Sequence, residues 1–160
     1  NGSIKVTATN NRSKTPSMKV KKLLKRELDF GIFNQRVWKD FKSNILLSKL
    51  NLRKILIDLK KQKKKVVGNS CPARCSTLIN YCDIGPDLMK YIAEQPTSLK
   101  LNKYLPGKRI PIIKNDILFK DQPDFVVILA WHLYKPIIKS LKSKGLKSKF
   151  IIPLPQPRIL

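Results

Sequence analysis

The pattern of apolar and polar positions divides the chain into a helical first part and a second part in which strands and helices alternate. Residues 3–9 alternate apolar with polar side chains, which predicts a strand without a nearby hairpin partner. Residues 18–28 and 34–64 repeat apolar positions at steps of three and four, which predicts two amphipathic helices. The residues expected to cap these helices are Ser17, Asn34 and, at the end of the first helix, Gly31.

The second part predicts a parallel sheet covered by helices. Strands are expected over residues 66–68, 89–93, 110–113, 124–131 and 149–152, and helices over 73–81 and 134–144, with a brief helix after Asn115. The run over 124–131 is apolar on both faces, as central parallel strands are. Pro111 indicates an edge strand, and we expect the strand over 149–152 to be the last. The predicted fold class is α/β: a three-layer, Rossmann-like domain with a mainly parallel sheet, preceded by two helices.

The predicted organisation has three segments. Residues 1–16 would be the last strand and linker of a preceding domain, 17–64 a helical segment, and 65–160 the α/β domain. Because the sequence begins with Asn rather than Met, we expect it to be a piece of a longer protein. The longest unbroken apolar run has 7 residues, Phe125 to Trp131, and no signal-peptide pattern opens the chain. We therefore expect a cytoplasmic protein with no membrane partner.

The composition indicates a folded and strongly basic domain. With 42% hydrophobic residues in 160, the chain is too apolar for a disordered basic tail. It carries 34 Lys and Arg against 10 Asp and Glu, a net charge of +24. That excess suits RNA or another polyanion, but 27 of the basic residues are Lys, whereas nucleic-acid readers favour Arg. We take a solvated Lys-rich surface as the default and expect polyanion binding to be weak and insensitive to sequence.

The cysteines and the histidine are not spaced like a metal site. Cys71, Cys75 and Cys82 are separated by three and six residues, so there is no CxxC pair, and His132 lies 50 residues further on. A zinc site with three Cys and one His is formally possible, but its usual spacing is missing. We predict no metal site and interpret all three cysteines as reduced, buried, small apolar residues.

The candidate ligand site follows from the fold, because ligands of a parallel sheet bind beyond the carboxyl ends of its strands. The turn after the first strand leads into a helix N-terminus, where an anion is favoured. Arg74 is either a phosphate partner or a solvated charge, and Glu94 either accepts ribose hydroxyls or is a surface charge. His132 is either a general base or a loop residue. The chain contains no nucleophile elbow, Walker motif or spaced carboxylate pair, so we assign no catalytic residue.

Ordered blocks of residues give a more specific signal. They cover residues 66–74, 77–82, 84–88, 104–107, 110–112, 123–124, 130–131 and 150–155, and residues 2–6 fit as well. Together they resemble, over nearly the whole chain, the C-terminal domain of the S-adenosylmethionine-dependent C-methyltransferases that act on nucleotide-linked deoxysugars. In that family an N-terminal part binds zinc through cysteines. A middle Rossmann-like domain binds the methyl donor and carries the acid-base residues. The C-terminal domain packs on the middle one and helps to hold the nucleotide-sugar.

The resemblance implies that this chain is the third part only. S-adenosylmethionine would then bind to a domain of the parent protein that is absent here, no cofactor is expected in this chain, and the chain alone would not catalyse. Its partners would be the preceding methyltransferase domain and a nucleotide-diphosphate sugar. The substrate-binding residues would be Asn69, Ser70, Cys71, Arg74, Glu94, Trp131 and His132.

The first turn departs from the family pattern, which reads like G-Y-G-A-P-A-K-G. Here the residues are Gly-Asn-Ser-Cys-Pro-Ala-Arg-Cys over 68–75, so Ser70 and Cys75 replace glycines and Arg74 replaces a lysine. Two other interpretations stay open. The chain could be a basic module that binds RNA or another polyanion, or a degenerate, non-catalytic domain kept for packing.

Overall fold

The first compact unit of the chain is helical. The computed structural model describes residues 4–11 and 13–160 and divides the chain into two units, one up to Ile45 and one over Leu46–Leu160. Helix α1 spans Met18–Phe30 and α2 spans Gln35–Lys61. Gly31 ends α1 in the left-handed conformation, with φ 79°, as predicted. The Asn34 Oδ1 accepts the Arg36 N–H at 2.9 Å, which confirms the cap of α2.

Two expectations for the first unit are not met. The Ser17 side chain makes no capping hydrogen bond, although Ser17 occupies the N-cap position of α1. Residues 4–9 form no strand in the structure, and Ser3 lies outside the described residues. A strand needs a neighbouring strand to accept and donate its backbone hydrogen bonds. The expectation that residues 3–9 pair with a strand of a preceding domain stays a prediction. The predicted division into segments 1–16, 17–64 and 65–160 stays a prediction, and residues 46–61 of α2 belong to the second unit.

The second unit is built on a mostly parallel sheet. Its elements are β1 (Val66–Asn69), α3 (Ala73–Tyr81), β2 (Ile92–Glu94), β3 (Lys103–Tyr104), β4 (Pro111–Lys114), α4 (Ile117–Asp121), β5 (Phe125–Ile128), a 3-10 turn (Trp131–Leu133), α5 (Tyr134–Ser143), β6 (Lys149–Ile152) and β7 (Arg158–Ile159). Among the described residues the strand order is β3-β4-β2-β1-β5-β6-β7. The five central strands are parallel, and β3 and β7 run antiparallel at the two edges. This order confirms the Rossmann-like α/β fold class.

Helices cover both faces of the sheet because successive strand side chains point to opposite sides. Val66 and Val127 pack on one side, in a cluster with residues of α2 and α3; its helical members include Leu52, Leu56 and Ile79. Val67 and Val126 pack on the other side, in a cluster that includes Leu118 of α4 and Leu141 of α5. The three predicted layers are therefore present, and α2 supplies part of one layer.

The predictions for the sheet edges were wrong in two places. The strand that begins at Pro111 is not an edge strand, since β3 pairs with it outside. The carbonyls of Ile110 and Ile112 accept the hydrogen bonds from residues on the β3 side. Pro111, which has no N–H, therefore does not interrupt the hydrogen bonds on that side of the strand. The strand over Lys149–Ile152 is not the last, because β7 pairs with it antiparallel.

Smaller differences concern where elements begin and end; for example, α2 ends at Lys61 rather than at residue 64. The second strand is Ile92–Glu94 rather than 89–93, and the central strand stops at Ile128, after which Trp131 opens a 3-10 turn. The brief helix has Asp116, not Asn115, at its N-cap position. No helix among the described residues is long and apolar enough to cross a membrane.

An acidic residue ties the amino ends of β1 and β5 together. The Asp124 Oδ2 accepts the backbone N–H of Lys65 at 2.8 Å, and its Oδ1 accepts the Lys64 Nζ at 3.0 Å. These bonds hold the pKa of Asp124 below its usual value, the Lys65 N–H first and the Lys64 ammonium second. Because β1 and β5 are neighbours, this contact fixes their register at the edge opposite the candidate site.

Candidate functional site

The predicted site residues lie at the point where the strand order of the sheet reverses. β1 pairs with β2 on one side and with β5 on the other. The connections after β1 and β5 therefore run to opposite sides, and the carboxyl ends of such neighbouring strands are where ligands bind in folds of this kind. The turn after β1, Glu94 at the end of β2 and Trp131 after β5 meet at this edge.

The turn over residues 69–72 is held from both sides. The Asn69 carbonyl accepts the Leu129 N–H at 3.0 Å, and the Ser70 N–H donates to the Ala93 carbonyl at 2.8 Å. Ser70 has a φ of 67°, in the left-handed region that favours glycine. Its hydroxyl donates to the Asn69 Oδ1 at 3.2 Å. The backbone of this turn thus has the conformation expected of a glycine, while a serine occupies the position.

Glu94 points back to the same turn. One carboxylate oxygen accepts the Cys71 N–H at 2.6 Å, and the other accepts the Gln95 N–H at 2.8 Å. Lys100 donates from its Nζ to the Cys71 carbonyl, so both backbone groups of Cys71 are engaged by side chains. Glu94 therefore stabilises the turn as a hydrogen-bond acceptor, and its binding of ribose hydroxyls stays a prediction.

Helix α3 begins at the site without a side-chain cap. Pro72 occupies its N-cap position and makes no side-chain hydrogen bond. The helix dipole and the N–H groups of the first turn favour an anion at such an end. Arg74 lies in that first turn and is exposed.

Arg74 connects the beginning of α3 with the end of β5. Its guanidinium carbon lies 5.9 Å from the centre of the Trp131 ring, within the range of a cation–π contact. The Trp131 ring meets the His132 ring edge-on, with 6.4 Å between centroids. The His132 Nδ1 is buried and has no hydrogen-bond partner among the described residues. The site therefore combines a cation with an aromatic wall, and the His132 ring lies beside that wall.

Two cysteines lie beneath the turn. The Cys71 and Cys75 sulfurs are 3.7 Å apart, and both residues are buried, as is Cys82. Burial of all three agrees with the sequence analysis. Among the described residues no three His, Cys, Asp or Glu side chains are grouped in a way that could hold a metal ion.

Lys100 is the site residue that sequence reasoning missed. It lies in the connection between β2 and β3, 29 positions from Cys71 along the chain. No periodicity or motif marks it, because only the folded path of that connection brings its ammonium to the Cys71 carbonyl.

The fold defines a class of protein, a Rossmann-like α/β domain with the turn after β1, Glu94 and Trp131 at the strand-order reversal of its sheet. Residues 1–155 match the family model described as C-methyltransferase C-terminal domain, and the chain belongs to this family. It is similar to the C-methyltransferase NovU of Streptomyces niveus, with 29% identity over 143 residues. That alignment covers 88% of this chain and 34% of the relative, so the chain spans about a third of that protein's length.

Proposed function

We propose that the chain is the substrate-binding C-terminal domain of an S-adenosylmethionine-dependent C-methyltransferase. Its ligand would be the diphosphate group of a nucleotide-linked deoxysugar or a similar acceptor. Membership in the C-methyltransferase family supports the class of reaction. The observation that carries the binding role is the uncapped N-terminus of α3, with Arg74 held beside Trp131.

The chemistry of these groups suits a phosphate with an attached ring. The first N–H groups of α3 would donate to phosphate oxygens, and the Arg74 guanidinium would add a charged, bidentate contact. The half-exposed Trp131 ring offers an apolar wall for a base or a sugar face. Since the contact with Trp131 already orients the guanidinium, less side-chain entropy would be lost on binding.

The residues of this turn do not fit the methyl donor itself. A donor-binding turn needs glycines that allow close backbone approach, whereas Ser70 carries a side chain at the left-handed position. Both oxygens of Glu94, the acid at the end of β2, already accept backbone N–H groups. We therefore place S-adenosylmethionine in the domain that would precede this chain.

The exposed apolar side chains of α1 support a partner that covers this helix. None of the residues of α1 is buried, and its exposed apolar side chains include Leu23, Leu24 and Leu28. Exposed apolar stripes of this kind mark protein interfaces. We propose the preceding methyltransferase domain as the partner, in a cytoplasmic protein.

The test is a titration of UDP or dTDP into the intact protein. Arg74→Ala should weaken binding by about 1.5–3 kcal/mol, the scale of a hydrogen bond to a charged group, or roughly 10- to 150-fold. Arg36→Ala is the matched control, because it removes an equal charge from the exposed start of α2. Equal affinity of both variants and the wild type would reject the phosphate site and favour a domain kept for packing. Equal weakening by both variants would instead indicate general attraction of polyanions, which should then fade steeply with salt.

A further inference from the structure

Cys71 and Cys75 are placed to react with one another. Cys71 precedes the N-cap of α3, and Cys75 lies in the first turn of that helix. Their sulfurs are in contact at 3.7 Å, so formation of a disulfide bond of 2.05 Å requires an approach of roughly 1.7 Å. The half-buried Pro72 and the exposed Ala73 and Arg74, at the beginning of α3, connect them.

The two thiols differ in their surroundings. A hydrogen bond from the Cys75 thiol lowers the pKa of Cys71 against the effect of burial, and the Lys100 ammonium lowers it further. The Cys75 thiol has a raised pKa, because it donates that hydrogen bond and is buried. Cys71 is therefore the nucleophile of the pair, and Cys75 is the thiol beside it.

The third thiol, Cys82, follows the other end of α3, and burial raises its pKa.

We infer that Cys71 and Cys75 are a reversible dithiol–disulfide pair that a small peroxide oxidises. The Cys71 thiolate attacks one peroxide oxygen, the O–O bond breaks, and hydroxide leaves, which gives a sulfenic acid on Cys71. The Cys75 sulfur then attacks the Cys71 sulfur, the S–O bond breaks, and the Cys75 proton leaves with the hydroxide as water. The two thiols lose two electrons in total, hydrogen peroxide is reduced to two waters, and a dithiol such as dithiothreitol reverses the reaction.

The sequence makes the product easy to identify. Trypsin cleaves after Lys65, Arg74 and Lys90, so Cys71 and Cys75 fall in different peptides, 66–74 and 75–90. The intact protein would be reduced, treated with hydrogen peroxide, alkylated, denatured and digested. We expect peptides 66–74 and 75–90 to be recovered as one cross-linked species, lighter by two hydrogens than the separate peptides and lost after dithiothreitol.

Three variants assign the bridge. Cys71→Ala and Cys75→Ala should abolish the cross-link, and Cys75→Ala should leave a sulfenic acid on Cys71 that dimedone traps. Cys82→Ser should leave the cross-link unchanged. Fragmentation of the wild-type species, which locates the bridge at Cys75 or Cys82 directly, keeps the test valid where a variant fails to fold.

Two results would overturn the inference. One is full alkylation of both peptides after peroxide treatment, with no cross-linked species. The other is a bridge that fragmentation assigns to Cys82, or one that joins two molecules when light and heavy isotope-labelled protein are mixed.

Discussion

Ser70 offers a sharp test of the backbone at the candidate site. Its φ of 67° places it in the left-handed region, where a Cβ crowds the following carbonyl. Ser70→Gly removes this crowding, and Ser70→Ala retains it. Both variants lose the hydroxyl that donates to the Asn69 Oδ1 at 3.2 Å. The comparison of Gly with Ala therefore isolates the backbone effect.

The expected magnitude follows from two opposing contributions. The left-handed conformation costs a residue with a Cβ about 1–2 kcal/mol relative to glycine. Glycine gains about 0.4–1 kcal/mol of chain entropy in the unfolded state, which opposes the effect. Ser70→Gly should therefore be more stable than Ser70→Ala by about 1 kcal/mol. Because the serine hydroxyl is lost, Ser70→Ala should lie about 0.5–1 kcal/mol below the wild type.

The assay is urea unfolding of the intact protein followed by circular dichroism, with Ser76 as the control position. Ser76 lies inside α3, where alanine should be more stable than glycine by about 1 kcal/mol. The order of stability of the Gly and Ala variants must therefore reverse between positions 70 and 76. If alanine is the more stable residue at both positions, the left-handed conformation of Ser70 is refuted. If the proposed phosphate site is real, Ser70→Gly should also bind UDP or dTDP more tightly than the wild type, since a phosphate could approach the backbone more closely.

Two further predictions concern acidic residues. Glu94→Gln replaces one acceptor oxygen with a donor, which leaves a backbone N–H at Cys71 or Gln95 without its partner. We expect the free energy of unfolding in urea to fall by about 1–3 kcal/mol. An unchanged value would contradict the two hydrogen bonds. Asp124→Asn should destabilise the protein at neutral pH, because the pKa of Asp124 is lowered in the folded state. The Asp124 carboxylate therefore stabilises the fold at any pH above its usual pKa of 3.8, and this contribution is lost as the pH falls through the lowered pKa. The stability difference between wild type and Asp124→Asn should therefore shrink in acid, and a difference that does not change with pH would contradict this origin.

The helices were the most predictable part of the fold, because their signals are local. Helix α3 spans Ala73–Tyr81 as the sequence predicted, and Gly31 and Asn34 mark the ends that they were expected to mark. The two edge strands, β3 and β7, have two residues each, too few for any alternation of apolar and polar side chains. Their pairing depends on tertiary contacts with β4 and β6, which no local pattern records.

The placement of the candidate residues at one edge of the sheet was predictable, but their hydrogen bonds were not. Parallel topology brings the carboxyl ends of β1, β2 and β5 together, so residues 69–74, Glu94 and Trp131 were expected at one edge. The direction of the Glu94 carboxylate, towards the Cys71 N–H, depends on the path of the turn. The contribution of Lys100 depends on the fold of a separate connection.

The departures from the resembled pattern lie in a turn whose backbone the neighbouring strands hold in place. Bonds to both neighbouring strands, from Leu129 and to Ala93, fix the backbone at Asn69 and Ser70. These bonds involve main-chain atoms only, so they persist whichever side chain stands at position 70. A serine is consequently held in the conformation that a glycine prefers, at a cost that the strand contacts offset. A turn fixed in this way can exchange its side chains while it keeps its geometry, and in this chain the exchange has placed two thiols and an arginine at the start of α3.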